Sequence, residues 1–259
     1  MKTSTVLKKL SMTAAFAAIS ACTLVISKVE AAIIQVAPGT LTGTGLITFD
    51  DVLGGPGPGT NYNAIFESNG ADFAERFVGQ SLSFSGNSDI LSGTPTGPLA
   101  LQVGAANQNL NVFTFNTSQV LTGLGPLGFP DGDAIGEGSF AVLFDFDQSE
   151  IGFDLVGGDG GSATVNFFRR NGSLIDTITI ILSLSDTSYG FKQMSGIKEI
   201  AGISIHNTRP GGIGFDNLVH DVPGGPGPGP EKVPEPASVL GLITLGALGA
   251  GSILKRKLK

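Results

Sequence analysis

The chain has 259 residues, 22 Asp and Glu against 15 Lys and Arg, a net charge of −7 and a single Cys. An acidic surface repels phosphate backbones, so this composition argues against nucleic-acid binding. One cysteine excludes an intramolecular disulfide and a cysteine-only metal site. With 39 Gly, no Trp, two Tyr and 17 Phe, the chain is poor helix material and depends on Phe for its aromatic packing.

The first 31 residues have the order of a secretory signal peptide. The basic residues Lys2, Lys8 and Lys9 precede an apolar segment at 10–26, and the small residues around Ala31 suit cleavage. We therefore predict that signal peptidase cuts after Ala31.

Cys22 allows a second interpretation of the N-terminus. Ile19–Cys22 fits a lipoprotein box, in which Cys22 is lipidated; cleavage after Ala31 instead removes the only thiol. Residues 32–232 then carry seven basic and 20 acidic side chains, a net charge of 7 − 20 = −13. The acidity of the exported part is larger than that of the whole chain.

Short alternating runs punctuated by Gly, Asn, Pro and Asp follow at intervals of about 8 to 12 residues, which is typical of an antiparallel β-sandwich. The sequence predicts one all-β, jelly-roll-like domain over 32–222. Strands are expected at 46–49, 81–84, 99–103, 111–115, 140–146, 151–155, 163–167, 174–182, 203–205 and 213–219.

Three local features stand out within this domain. Asn171-Gly172 predicts a hairpin with a type I′ turn. Ala71–Val78 is the one helix candidate. The hexapeptide GGPGPG at 54–59 and 224–229 is linker-like in both places, and we assign 223–232 as a Gly/Pro linker.

Two segments suggest a calcium site. Asp50 follows the first predicted strand and Asp216 lies in the last, an arrangement that resembles the structural calcium site of jelly-roll carbohydrate-binding modules. The resemblance implies Ca²⁺ between these carboxylates, held by oxygen ligands. The loop with Asp131, Asp133 and Glu137 is a second, less regular calcium candidate.

Polysaccharide binding is a further hypothesis. Sugar faces stack on aromatic rings, and in the absence of Trp the candidates are Tyr62 and Tyr189, each in a loop-like Gly/Asn-rich setting.

Catalytic residues are scarce. His206 and His220 lie in no recognisable nucleophile or metalloprotease motif. Asp145 and Asp147, two apart on a predicted strand, share a face opposite Phe144 and Phe146 and are candidates for the carboxylate pair of a glycosidase. The solvent face of a half-buried strand explains the same pattern.

The last 27 residues combine a proline motif, an apolar stretch at 237–254 and a basic tip. At about 1.5 Å per residue the stretch is long enough for a transmembrane helix, with the basic tip on the cytoplasmic side. The tail resembles the PEP-CTERM sorting signal recognised by a membrane exosortase. The residues that carry the resemblance are Val233, Pro234, Glu235, Pro236, Lys255, Arg256 and Lys257.

The resemblance implies an exported protein that passes the inner membrane, is anchored transiently or stably, and reaches the cell surface or the extracellular space. We expect a non-enzymatic component of an exopolysaccharide or biofilm matrix with residues 233–259 as its sorting signal. The alternatives are a carbohydrate-binding module with structural calcium and a polysaccharide-cleaving enzyme using Asp145 and Asp147.

Overall fold

The computed structural model describes residues 32–157 and 160–222. Within these ranges no helix is long and apolar enough to cross a bilayer. The predicted signal peptide and transmembrane helix lie outside the described residues.

The strands are β1 (Ile33–Val36), β2 (Gly45–Ile47), β3 (Thr60–Tyr62), β4 (Phe66–Ser68), β5 (Ala71–Ala74), β6 (Arg76–Phe77), β7 (Ser81–Ser85), β8 (Ser88–Ser92), β9 (Leu101–Gln102), β10 (Leu110–Phe115), β11 (Ser118–Leu124), β12 (Ile135–Gly138), β13 (Phe140–Gln148), β14 (Glu150–Val156), β15 (Ser162–Phe168), β16 (Leu174–Ile181), β17 (Thr187–Gln193), β18 (Ile200–Asn207) and β19 (Gly214–His220), with short 3₁₀ turns at Pro38–Thr40 and Gly132–Ala134.

Two large sheets carry most of these strands. The nine-stranded sheet has the order β1-β17-β14-β19-β11-β10-β3, with β12 beside β11 and β2 beside β19. The six-stranded sheet has the order β16-β15-β18-β13-β5-β4, and β6-β9 and β7-β8 form short ribbons. The strand pairs are antiparallel, so the predicted all-β antiparallel fold is confirmed.

Phenylalanines from both sheets meet in the core. Phe215 of the larger sheet has its ring centroid 5.0 Å from that of Phe140 of the smaller sheet and 5.0 Å from that of Phe153. Phe167 and Phe191 make a second contact between the sheets at 5.3 Å. Burial of one such side chain contributes roughly 1.5–3 kcal/mol, so these contacts hold the two sheets together as a β-sandwich.

The hairpin predicted at Asn171-Gly172 joins β15 to β16, and its turn type differs from the prediction. Gly172 has φ 83°, whereas Asn171 is not among the residues with positive φ. The Gly172 N–H donates to the Arg169 carbonyl at 2.8 Å, and the Arg169 N–H donates to the Ser173 carbonyl at 2.9 Å. Only one residue is left-handed, so the turn is not type I′.

The helix predicted at Ala71–Val78 is wrong, because this segment forms β5 and β6. β5 pairs with β13 on one side and β4 on the other. Phe73 is fully buried, and its ring packs edge-on against that of Phe49 at 5.5 Å. Tertiary pairing and burial thus override a weak local helix preference.

The first GGPGPG copy is a structured loop and not a linker. The Gly55 carbonyl accepts a 2.7 Å hydrogen bond from the Thr114 N–H. The Pro58 carbonyl accepts from Asn111 Nδ2 at 2.9 Å, and the Gly54 carbonyl accepts from Thr60 Oγ1 at 2.9 Å. These bonds fix residues 54–59 against β10 and β3; the second copy, at 224–229, lies outside the described residues.

Candidate functional site

The predicted sorting residues Val233–Pro236 and Lys255–Lys257 lie outside the described residues. The described chain ends at Val222, two residues after β19. The candidate sites that have described geometry are therefore the Asp50–Asp216 region and the surface around Asp145.

Asp50 and Asp216 approach the same hydroxyl group. Ser118 Oγ donates to Asp216 Oδ2 at 2.8 Å and lies 3.4 Å from Asp50 Oδ1. Asp50 Oδ1 also accepts the Gln119 N–H at 2.9 Å. The start of β11 thus bridges the two acidic segments that the sequence analysis placed together.

The surroundings of Asp216 already supply hydrogen-bond donors. Its Oδ1 accepts the Asn217 N–H at 2.7 Å, and Asn217 Nδ2 donates to Asp154 Oδ2 at 2.7 Å. Burial raises the pKa of Asp216, hydrogen bonds from Ser118 and Asn217 lower it, and the charges of Asp50 and Asp154 raise it further. In residues 32–157 and 160–222, no cluster of three or more His, Cys, Asp or Glu has metal-binding geometry. Calcium at this place stays a prediction.

A β-bulge at Asn217 interrupts the side-chain alternation of β19. Asn217 has φ 50°, and the pairing with β14 shifts register between Gly152 and Asp154. Phe215 and Leu218 are consequently both fully buried, although strict alternation would place them on opposite faces.

The two tyrosines have different environments. Tyr62 is half-buried at the end of β3; its hydroxyl donates to the Leu53 carbonyl at 2.6 Å, and its ring packs edge-on against Phe66 at 5.0 Å. Tyr189 lies within β17, not in a loop, and is only 6% exposed, with its ring 6.3 Å from Phe153. The Tyr189 ring belongs to the core in this structure, and sugar stacking there would require it to leave the core.

Asp145 and Asp147 lie in a wide bulge of β13. The β13–β18 register passes from Leu143↔Gly202 to Gln148↔Ile200, so the intervening residues of β13 leave the ladder with β18, whereas Phe144 still pairs with Ala71 of β5. Phe146 is therefore 53% exposed, and its expected place on the core face beside Phe144 is wrong.

The two carboxylates have different neighbours. Asp147 Oδ1 accepts from Arg170 at 2.8 Å (Nη2) and 3.0 Å (Nε). Asp145 instead lines two adjoining cavities of about 390 and 450 Å³ that share Asn69, Gly70 and Asp145. We call this surface the Asp145 groove. Its lining includes Leu46, Glu67, Asp72, Phe146, Gln148 and His220.

The two histidines lie in strands of different sheets, and both are at least half-buried. His220 ends β19 and is 4% exposed, with Nδ1 2.6 Å from the Asp221 carbonyl oxygen. His206 is half-buried in β18, and burial lowers its pKa. In the described part of the chain neither ring is hydrogen-bonded to a serine or a carboxylate.

The acids of the second calcium candidate, Asp131, Asp133 and Glu137, lie in two different environments. Asp131 Oδ1 accepts the Asp133 N–H at 2.9 Å in an exposed 3₁₀ turn. Glu137 is 5% exposed and accepts a hydrogen bond from Ser88. The three acids therefore do not line a single loop.

Glu75, Asp89 and Glu137 are buried acids that the sequence did not reveal. Asp89, 1% exposed, has its Oδ2 3.1 Å from the Ser139 N–H, and Glu75 is 2% exposed beside Arg76. Burial raises the pKa of Asp89 to about 6, against the opposing effects of the Ser139 N–H and the Arg76 charge. No local spacing predicts their burial, because Glu75 directly precedes β6, Asp89 lies in β8 and Glu137 in β12, in distant parts of the chain.

The described part of the chain is thus a β-sandwich. The family model described as the PEP-CTERM protein-sorting motif matches residues 232–257, so the chain carries the sorting motif that its sequence predicts.

Among solved structures, the chain is similar to the crystal structure of a carbohydrate-binding module specific for non-crystalline cellulose. The identity is 17%, the match covers 43% of this chain and 80% of that one, and the TM-score is 0.26. A similarity this low carries no argument about function. No curated protein matches the chain.

Proposed function

We propose that the protein is an exported component of the cell envelope or extracellular matrix, associated with exopolysaccharide or biofilm, that exosortase processes near Pro234–Pro236. The observation that carries the proposal is the PEP-CTERM sorting motif at residues 232–257. In this role the β-sandwich is the delivered body, and the sorting helix holds it in the inner membrane during processing.

The position of β1 supports cleavage after Ala31. The Ala32 carbonyl accepts the Met194 N–H at 3.0 Å, and the Ile33 N–H donates to Asp176 Oδ2 at 3.0 Å. A cut after Ala31 leaves both bonds and the whole of β1 (Ile33–Val36) intact. A mature body that begins at Ala32 would begin directly before β1.

We further propose a jelly-roll arrangement for this body. From β13 onward the chain alternates between the two sheets: β14, β17 and β19 lie in the larger one, and β15, β16 and β18 in the smaller one. Repeated crossing between two packed antiparallel sheets is the feature that supports this assignment.

We propose that the body acts without catalysis. Asp147 is held by Arg170, and Asp145 faces a separate groove, so the paired-carboxylate geometry of a glycosidase has no support from these contacts. Recognition of a polymer is the second candidate function, and the Asp145 groove favours it because exposed apolar side chains and carboxylates line the same surface.

Sorting is tested by a matched pair of tail variants expressed in cells with and without exosortase. Glu235→Ala alters the Pro-Glu-Pro motif, whereas Glu231→Ala changes an acid one residue outside the matched segment. The native protein and Glu231→Ala should lose the C-terminal segment only where exosortase is present, and Glu235→Ala should keep it. C-terminal mass and membrane fractionation provide the readout; a full-length protein in the cytosol with both ends uncut would refute the proposal.

A further inference from the structure

Two buried acceptor atoms in the wall of the Asp145 groove have no donor. A carbonyl oxygen only accepts, so the His220 Nδ1 beside the Asp221 carbonyl carries the proton and Nε2 is left as an acceptor. Gln148 Nε2 donates to the Phe146 carbonyl, which leaves Gln148 Oε1 as a second acceptor. Both atoms are buried, and within the described residues neither has a hydrogen-bond partner. Buried acceptors are normally paired, so these two atoms are free to accept from an ordered water or from a ligand that donates hydrogen bonds.

The fold makes room for the His220 ring in this wall. A Cβ added to Gly45 would lie 2.4 Å from His220 Cε1, and one added to Gly70 would lie 3.3 Å from it. Both glycines line the groove. The ring edge that carries Nε2 is thus accommodated between two positions that lack side chains.

The groove is also negatively charged. Glu67, Asp72 and Asp145 line one of its cavities, and none of them takes part in an ion pair within the described residues. The pKa of Asp72 is raised by burial and then by the charges of Glu67 and Asp145, which places the three acids within electrostatic reach of one another. The other cavity also includes Asp221, whose carboxylate lies 3.5 Å from Lys198 Nζ. A cationic ligand would relieve this repulsion.

The same groove exposes apolar surface. Phe146 is 53% and Leu46 51% exposed, and both line the cavity that contains His220. An aromatic ring can pack against the apolar face of a sugar ring, and the neighbouring acceptors can bind its hydroxyl groups. A linear polyamine has no ring face and no hydroxyl group.

We propose that the Asp145 groove binds a protonated amino-sugar polymer, with Phe146 and Leu46 against the ring, His220 Nε2 and Gln148 Oε1 accepting from ligand donors, and Glu67, Asp72 and Asp145 facing the ammonium groups. The inference rests on the proposed function in that it places this body among extracellular polysaccharides.

The test is titration of the exported protein, purified from cells, with three probes. A tetramer of glucosamine has rings and charge, a tetramer of N-acetylglucosamine has rings alone, and spermidine has charge alone. The glucosamine tetramer should bind at least about tenfold more tightly than either of the other two, and its affinity should fall with added salt.

Two variant pairs locate the site. Asp145→Asn and Phe146→Ser should each weaken binding of the glucosamine tetramer at least about tenfold. Asp51→Asn and Phe84→Ser change an exposed acid and a 60% exposed phenylalanine outside the groove and should bind like the native protein. Far-ultraviolet circular dichroism checks that the variants keep their fold.

The ligand class is overturned by three results: no binding of the glucosamine tetramer, equal binding of the acetylated tetramer, or competition by spermidine at equal affinity. None of these results depends on C-terminal mass, so failure of this inference is distinguishable from failure of exosortase processing.

Discussion

Ser118 donates a 2.8 Å hydrogen bond to Asp216 and thereby joins the first residue of β11 to the middle of β19. Asp50 lies 3.4 Å from the same hydroxyl oxygen. Two carboxylates that converge on one hydroxyl have oxygen atoms of the type that Ca²⁺ prefers. This relationship makes the calcium prediction testable at a defined place.

Calcium is expected to stabilise the native protein and not its Asp216→Ala variant. A ligand that binds only the folded state at 100 times its dissociation constant adds about 2.7 kcal/mol to the free energy of unfolding. Thermal unfolding with calcium and with chelator measures this difference. Asp131→Ala is the control, because it removes an acid of the other calcium candidate and should leave the response unchanged. An identical melting curve of the native protein in calcium and in chelator contradicts the prediction.

Asp89 is expected to make the protein less stable as pH rises. Its native pKa of about 6 lies above the ordinary value of 3.8, so the native state binds more protons than the unfolded state between these values. Stability therefore falls from about pH 4 to pH 6 and stays low above it. Asp89→Asn keeps an oxygen acceptor for the Ser139 N–H and should raise the free energy of unfolding at pH 8 by up to about 3 kcal/mol.

The gain from Asp89→Asn should disappear near pH 4, where the native carboxyl is already neutral. Denaturant unfolding at the two pH values gives the comparison, and exposed Asp133→Asn is the matched control. If Asp89→Asn is less stable than the native protein at pH 8, attraction to Arg76 outweighs the cost of burial.

Phe215 is expected to be the most sensitive aromatic position of the core. It is fully buried, and its ring lies between those of Phe140 and Phe153 in opposite sheets. Phe215→Ala should cost about 3–5 kcal/mol through lost burial and an unfilled cavity. Phe84→Ala, at a 60% exposed position in the β7–β8 ribbon, should change stability by less than about 0.5 kcal/mol. Similar losses in both variants would show that Phe215 does not hold the sheets together.

Local patterns predict the parts of this structure in which alternation is regular. The runs predicted at 163–167 and 174–182 correspond to β15 and β16, which flank the turn at Asn171-Gly172. They could be predicted because alternating apolar residues and a turn signal lie in the same short segment. The sorting tail is likewise a local signal. Its motif is read from consecutive residues.

Features that depend on distant partners were not predictable in this way. The left-handed Asn217 and the β13 bulge at Phe146 interrupt alternation, and each is defined by register against another strand. Gly45 and Gly70 make room for His220, although the sequence marks them only as ordinary glycines. Long-range pairing decides these places, so a periodic pattern cannot show them.

We expect the Asp147→Asn variant to release the same amount of sugar from any polysaccharide as the native protein does. Asp147 binds Arg170 in a half-exposed ion pair, which accounts for its position without catalysis. Loss of such a pair costs between nothing and about 1 kcal/mol, so the variant should fold normally. Reducing-end assays on the native protein, Asp147→Asn and Asp145→Asn provide the measurement, with Asp51→Asn as an exposed control. Turnover by the native protein and Asp51→Asn that disappears in both Asp145→Asn and Asp147→Asn would establish the glycosidase alternative in place of the binding function proposed for the Asp145 groove.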